Sequence, residues 1–134
     1  MPNSQQRHSG SCRILVIEDD PDSNETLRLF LEINGHRVVT AFDGESAILE
    51  SAHFKPEIVL CDITLGGRMD GTDVARAIRR RSAEKPKLMI ALSGHSRAED
   101  HSRSMEAGFD YHLVKPIDFE HLVGLINATI SDTH

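Results

Sequence analysis

The chain has 134 residues, of which 39% are hydrophobic and 27% charged, a composition typical of one globular domain with its own core. The formal net charge of −6 argues against a surface for nucleic acid, so we expect no nucleic-acid partner. No apolar run approaches the ~20 residues that cross a membrane, so no membrane association is expected either.

Residues 1–11 are polar and lack the apolar segment of a secretion signal, and we expect a disordered leader before a domain at 12–131. Cys12 and Cys61 are predicted at opposite ends of neighbouring parallel strands, roughly 16 Å apart, which is too far for a disulfide. Two buried free thiols, and hence a reducing, cytoplasmic location, are therefore expected.

Apolar runs alternate with amphipathic stretches along the whole chain. The apolar runs predict strands at 13–17, 36–41, 58–62, 87–92 and 111–114. Helices are predicted from Pro21 to Asn34-Gly35, after Asp43, after Asp70, over 96–107 and over about 118–130. The first helix is expected to bury Leu27, Phe30, Leu31 and Ile33.

Five strands alternating with five helices predict an α/β fold, a doubly wound (βα)5 unit with a five-stranded parallel sheet. Such sheets bind ligands beyond the carboxyl ends of their strands. Four of the five predicted strands are followed by, or end in, a polar group at that edge: Glu18-Asp19, Asp62, Ser93 and Lys115.

This set of side chains predicts a phosphoryl site. Crowded carboxylates repel one another unless a cation joins them, and carboxylates without a Cys or His motif favour a hard ion such as Mg²⁺ or Mn²⁺. Lys115 adds a positive charge and Ser93 a hydroxyl donor. Asp62 is then predicted to be a carboxylate nucleophile that forms an acyl phosphate.

The same segments carry a family resemblance over roughly residues 12–131. The residues concerned are ILVIEDDPD at 14–22, the strand ending in Asp62, LSG at 92–94, GFD at 108–110 and VKP at 114–116. In this order they resemble the receiver domain of two-component response regulators. The resemblance implies a flavodoxin-like sheet of strand order 2-1-3-4-5.

The resemblance also implies a role for each matching position. Asp62 matches the phosphoacceptor, Ser93 the hydroxyl residue that contacts the phosphoryl group and moves on activation, and Lys115 the family's lysine. The implied Mg²⁺ ligands are Asp62, Asp19 directly, Glu18 through water, and the backbone carbonyl of Thr64. The bond from Lys115 to Pro116 is expected to be cis.

Two positions depart from the family pattern. The loop after Asp62 is one residue longer than usual, and Gly66-Gly67 stand where leucine-proline or proline-glycine is common. His112 occupies the switch position three residues before Lys115, which is often aromatic. The first departure concerns the loop that would place the Thr64 carbonyl, and the second replaces the aromatic ring whose burial would accompany switching.

The resemblance implies that Asp62 takes a phosphoryl group from a phosphohistidine on a sensor histidine kinase or a histidine phosphotransfer protein. A surface of the fourth helix, fifth strand and fifth helix is then expected to switch and to bind a downstream protein. No turnover enzyme is expected, since such a domain catalyses only its own phosphorylation and dephosphorylation. An unphosphorylated pseudo-receiver that acts as a protein-binding module remains the alternative.

Two other classes fit the residues less well. An aspartate-nucleophile phosphatase of the haloacid dehalogenase type needs an acid two residues after its nucleophile, and Thr64 stands there. A nucleotide or flavin site needs a loop that accepts phosphate after the first strand, whereas Glu18-Asp19-Asp20 would repel it.

Four further features of the sequence are interpreted as structural rather than functional. Asp20 is expected to cap a helix, and His95 to be a loop side chain beside the site. The helix at 96–107 has few apolar residues and is expected to be weakly anchored. A run of basic residues is expected to form a solvated face; it comprises Arg76, Arg79, Arg80, Arg81, Lys85 and Lys87.

Overall fold

A computed structural model describes residues 10–81, 85–94 and 98–132, apart from the side chains of 98–100 and 132. Within these ranges the strands are β1 (Arg13–Ile17), β2 (Arg37–Ala41), β3 (Ile58–Asp62), β4 (Leu88–Ser93) and β5 (Tyr111–Val114). The helices are α1 (Pro21–Ile33), α2 (Gly44–Phe54), α3 (Gly71–Arg81), α4 (Ala98–Ala107) and α5 (Phe119–Asp132).

The strands form one parallel sheet in the order β2-β1-β3-β4-β5. This confirms the expected fold class and strand order. Strand ends differ from the prediction by one residue in β2 and β4. Ser93 lies inside β4 because it pairs with Val114 of β5. The predicted start of the fourth helix at Ser96, and His95, lie outside the described residues.

Alternate residues of the strands point to opposite faces of the sheet and build two cores. Leu15 and Ile17 of β1 belong to the core under α2, α3 and α4, together with Val74 and Ile78. Residues Ile14 and Val16 belong to the core under α1 and α5, whose members include Leu27, Leu31, Leu122 and Ile126. Both faces of the sheet are therefore covered, and its carboxyl edge remains available for a site.

The first turns of α1 and α2 are held by acidic caps. Asp20 is the N-cap of α1, where its carboxylate accepts from the Ser23 amide at 3.0 Å and from the Ser23 hydroxyl at 2.8 Å. These bonds lower the pKa of Asp20. The N-cap of α2 is Asp43, which accepts from the Ser46 amide. The expected capping role of Asp20 is thus confirmed.

The prediction that α1 buries Ile33 is wrong. Ile33 is 83% exposed, whereas Leu27 and Leu31 are buried. A helix turns about 100° per residue, so Ile33 lies about 200° around the axis from Leu31 and faces outward.

The basic run is not a uniform solvated face, because Arg79 links α3 to the end of α4. Its guanidinium donates two hydrogen bonds to the Gly108 carbonyl, at 3.0 and 2.8 Å, and one to the Pro86 carbonyl at 3.2 Å. It also pairs with Asp110 at 3.2 Å, whose carboxylate accepts from the Met89 amide. The expectation of a solvated side chain is therefore wrong for Arg79.

Both cysteines are buried and free, as expected. Burial, with the nearby Glu57 carboxylate, raises the pKa of Cys12 to about 11. Burial also raises the pKa of Cys61, and the charge of Asp62 adds to the shift. None of the helices in the described part of the chain is long and apolar enough to cross a membrane.

Candidate functional site

The carboxyl ends of four strands bring the predicted site residues to one edge of the sheet. Glu18 and Asp19 follow β1, Asp62 ends β3, Ser93 ends β4 and Lys115 follows β5. Asp62 pairs with Leu92, so Ser93 stands one residue beyond Asp62 on the neighbouring strand.

Lys115 joins two carboxylates at the centre of this edge. Its Nζ donates to Oε1 of Glu18 and to Oδ2 of Asp62, at 2.8 Å in each case. Glu18 is completely buried and Asp62 is 6% exposed, whereas the Lys115 side chain is 31% exposed. Two poorly solvated carboxylates therefore share one ammonium group.

The pKa shifts follow from this arrangement. Burial raises the pKa of Glu18 and the charge of Asp62 adds to the rise, although the hydrogen bond from Lys115 opposes it. Partial burial lowers the pKa of Lys115, but its hydrogen bonds to Asp62 and Glu18 outweigh that effect, and the net shift is upward. Lys115 therefore remains a cation at neutral pH.

Both oxygens of Asp62 are oriented by hydrogen bonds. Oδ2 accepts from Lys115, and Oδ1 accepts from the Thr64 amide at 2.9 Å. A carboxylate oxygen can accept more than one hydrogen bond, so each keeps a lone pair for another ligand or for bond formation.

Asp19 completes a group of carboxylates suited to a cation. Asp19, Glu18 and Asp62 offer ligand oxygens that all lie within 4.8 Å of one another. Oδ2 of Asp19 also accepts from the Gly66 amide at 3.0 Å. An all-oxygen donor set with excess negative charge fits a hard divalent ion such as Mg²⁺. The metal role of the Thr64 carbonyl stays a prediction.

Ser93 and Lys115 are also joined through the backbone. Ser93 is buried, and its carbonyl accepts from the Lys115 amide at 2.7 Å. The peptide bond between Lys115 and Pro116 is cis.

His112, the predicted switch residue, contacts α4. Its ring is stacked on His101 with ring centroids 5.4 Å apart, and its Nδ1 lies 3.2 Å from Oγ of Ser104. His112 is half-buried, while its neighbour Tyr111 is 46% exposed. Its role in switching stays a prediction.

Sequence reasoning missed three residues that support the site. Gly71 begins α3 against the backbone of Asp62: its amide donates to the Ile63 carbonyl at 2.7 Å, and a Cβ there would meet the Asp62 carbonyl oxygen. Gly66 bonds to Asp19, and Asn24 bonds to the backbone of Glu18. A signal existed for Asn24, since it is a polar residue at helical spacing from Leu27 and Leu31.

Comparison with known proteins agrees with this geometry. Residues 14–127 match the family described as "Response regulator receiver domain". "Transcriptional regulatory protein PrrA" of Mycobacterium tuberculosis is 33% identical over 120 residues, which cover 90% of this chain and 50% of PrrA. The signal receiver domain of a DNA-binding response regulator from Colwellia psychrerythraea is 27% identical, with a TM-score of 0.81 over 89% of this chain and 98% of that one.

One prediction about partners is corrected by these relatives. "DNA-binding dual master transcriptional regulator RpaA" of Synechocystis is 31% identical over 123 residues, which are 90% of this chain and 50% of RpaA. The expectation of no nucleic-acid partner is therefore wrong for this group of proteins. The chain spans about half the length of the curated relatives it matches, so the net charge of the matched part does not report what those whole proteins bind.

Three findings agree with one another: the strand order, the group of three carboxylates with Lys115 bound to two of them, and the match over most of the chain. The chain belongs to the response regulator receiver domain family.

Proposed function

We propose that this domain accepts a phosphoryl group on Asp62 from a phosphohistidine of a sensor histidine kinase or a histidine phosphotransfer protein. The observation that best supports the proposal is the ammonium group of Lys115, which lies 2.8 Å from both Asp62 and Glu18. A positive charge fixed beside a carboxylate nucleophile can attract the phosphoryl oxygens and stabilise the charge that develops during transfer.

The transfer is a substitution at phosphorus. An oxygen of Asp62 forms a bond to phosphorus while the bond between phosphorus and the donor's imidazole nitrogen breaks, and the electron pair of that bond stays on the imidazole. Lys115 and the Ser93 hydroxyl bind the equatorial oxygens. The domain catalyses only its own phosphorylation and dephosphorylation in this proposal, and it is not a turnover enzyme.

The carboxylates of Asp19, Asp62 and Glu18, the last through water, would hold Mg²⁺ or Mn²⁺, with the Thr64 carbonyl as a further ligand. The bound ion would neutralise charge on the carboxylates and on the phosphoryl oxygens. The donor set supports this assignment because its oxygens already converge within 4.8 Å.

A cavity next to Lys115 supports the docking of a protein donor near the site. It has a volume of about 370 Å³, and its largely apolar wall includes Leu27, Ile117 and Phe119. Such a wall suits apolar side chains of a donor protein that brings its phosphohistidine to Asp62.

Phosphorylation is proposed to change the surface of α4, β5 and α5, which would bind a downstream protein. A cytoplasmic location also stays a prediction.

Incubation of the chain with acetyl phosphate and Mg²⁺, followed by intact mass measurement, tests the proposal. We expect about 80 Da to be added to the wild type and none to Asp62→Asn. Asp20→Asn is the matched control, since Asp20 is a nearby acid that serves as a helix cap; this variant should be phosphorylated. A wild type without added mass would contradict the proposal and favour the alternative, a pseudo-receiver that only binds proteins.

A further inference from the structure

Asn24 is a polar residue on the buried face of α1. It is 2% exposed and shares that face with Leu27 and Leu31. Buried amides are retained where their hydrogen bonds are satisfied. The partners of Asn24 therefore indicate why an amide lies in an otherwise apolar interface.

The amide nitrogen of Asn24 bonds to the ends of two strands. Its Nδ2 donates to the Glu18 carbonyl at 3.0 Å and to the Ala41 carbonyl at 3.2 Å. The Glu18 amide also donates to the Ala41 carbonyl, at 3.1 Å. These three bonds hold the peptide groups on both sides of Glu18 against the end of β2.

The peptide that follows Glu18 leads directly to Asp19. Its orientation sets where the carboxylates of Glu18 and Asp19 point. Without a donor at position 24, the Glu18 carbonyl would lose its side-chain partner in a buried place, and the peptide would rotate toward another donor. The three carboxylate oxygens would then no longer converge on one cation.

We infer that Asn24 is a positioning residue for the cation site: it fixes the Glu18-Asp19 backbone so that both carboxylates face Asp62. Asn24 does not touch the ion or the reacting atoms. It acts through the backbone of two ligands, as residues behind metal ligands commonly do. The inference rests on the proposed function, because it assumes that these carboxylates bind a cation.

The test measures Mn²⁺ binding to the whole chain, by electron paramagnetic resonance of the free ion. Asn24→Leu keeps the size of the side chain and removes its donor. We expect its Kd for Mn²⁺ to rise about 10-fold. The rate of phosphorylation by acetyl phosphate should fall at limiting Mg²⁺ and return to within about threefold of the wild type at saturating Mg²⁺.

Leu31→Val is the matched control, on the same face of α1 but without a polar contact. It should be destabilised and yet bind Mn²⁺ as the wild type does. If Asn24→Leu does not fold, Asn24→Ala decides by the same criterion. It removes the amide, and alanine offers no side-chain donor.

Unchanged or tighter Mn²⁺ binding in the folded Asn24 variant would overturn the inference. If the wild type is phosphorylated and binds Mn²⁺ no better than that variant, the inference alone fails. If the wild type is never phosphorylated but the variant binds Mn²⁺ more weakly, the proposed function fails and the inference stands. A wild type that binds no Mn²⁺ contradicts both.

Discussion

Strand β5 connects two regions that are held in different ways. Directly after the strand, Lys115 makes two 2.8 Å bonds to carboxylates, one of them completely buried. Earlier in the strand, His112 meets α4 through a 3.2 Å contact with Ser104 and a stacked histidine ring. The first region is held by hydrogen bonds between charged groups, and the second by a polar contact and by ring stacking.

Helix α4, which His112 contacts, also has few buried apolar side chains among those that the structure describes. Among the side chains of α4 that the structure describes, Ser104 and Ala107 are buried and Met105 is 42% exposed. Helices with few buried apolar contacts open at low free energy. A well-fixed site beside a weakly anchored helix would allow phosphorylation of Asp62 to change a surface some distance away. The region around Lys115 and the region around α4 can be tested separately.

The largest effect is expected at the fixed site. Lys115→Gln keeps much of the length of the side chain but removes its charge, so the rate of phosphorylation by acetyl phosphate should fall about 100-fold. Lys87→Gln is the control, because Lys87 pairs with Glu57 near the opposite end of the sheet, and its rate should stay within about twofold. Equal rates in the wild type and Lys115→Gln would mean that the bridging ammonium does not assist transfer.

Close packing beneath the site is tested by Gly71→Ala. The new Cβ would stand 2.7 Å from the Ile63 Cα and closer still to the Asp62 carbonyl, and backbone atoms on that side can yield little. We expect the free energy of unfolding, measured in urea, to fall by about 2 kcal/mol. At Gly124, which is exposed on α5 with nothing within 4 Å of a Cβ, alanine should instead stabilise the helix by up to about 1 kcal/mol. Similar changes in both variants would contradict the close contact.

A smaller effect is expected from His36, away from both regions. Its Nδ1 accepts from the Cys12 amide, and burial lowers its pKa. The unfolded chain takes up the proton first as the pH falls through about 6.5, so the folded state loses stability below that pH, at a limiting slope of about 1.4 kcal/mol per pH unit. His36→Asn should lose less stability than the wild type between pH 7.5 and 5.5.

Leu122→Val, at a buried position of α5, provides the control because it removes no titratable group. It should lower the stability but keep the pH dependence of the wild type in urea unfolding. An identical slope in the wild type and His36→Asn would show that His36 does not contribute.

The smallest effect is expected on α4. Ser104 is buried, and its hydroxyl donates to the His101 carbonyl at 2.8 Å. Ser104→Ala should lower the local opening free energy of α4 and β5 by about 1 kcal/mol, seen as faster amide hydrogen exchange there and unchanged exchange in β1 and β3. Ser102→Ala, at an exposed position of the same helix, should leave exchange unchanged. Equal exchange in the two variants would show that Ser104 does not anchor α4.

The fold could be predicted because each strand is a short apolar run and each helix has an apolar face. The strand order came from the family resemblance, since periodicity does not specify which strands are neighbours. The apolar character of Ile33 favours the core. The 100° rotation per residue instead turns it about 200° from Leu31 and toward solvent.

The acidic residues and Lys115 could be predicted for two reasons. Their residue types suit phosphoryl chemistry, and each lies at the carboxyl end of a predicted strand, which places them at one edge of the sheet. The bonds of Gly66 and Arg79 could not be predicted, because they involve backbone groups. For Asn24 the helical spacing indicates a buried polar residue, but not which carbonyls it binds. A backbone carbonyl such as that of Gly108 has no sequence signature, and neither does the amide of Gly66 that reaches Asp19. Only the folded chain brings these groups together.

The central claim is that phosphoryl capture at Asp62 alters the surface that the weakly anchored helix α4 forms with β5 and α5. Amide hydrogen exchange of the whole chain, with Mg²⁺ and with or without beryllofluoride as a phosphoryl mimic, tests it most directly. We predict altered protection in α4, β5 and α5 of the wild type and none in Asp62→Asn. Equal protection of these elements in the wild type with and without beryllofluoride would contradict the account.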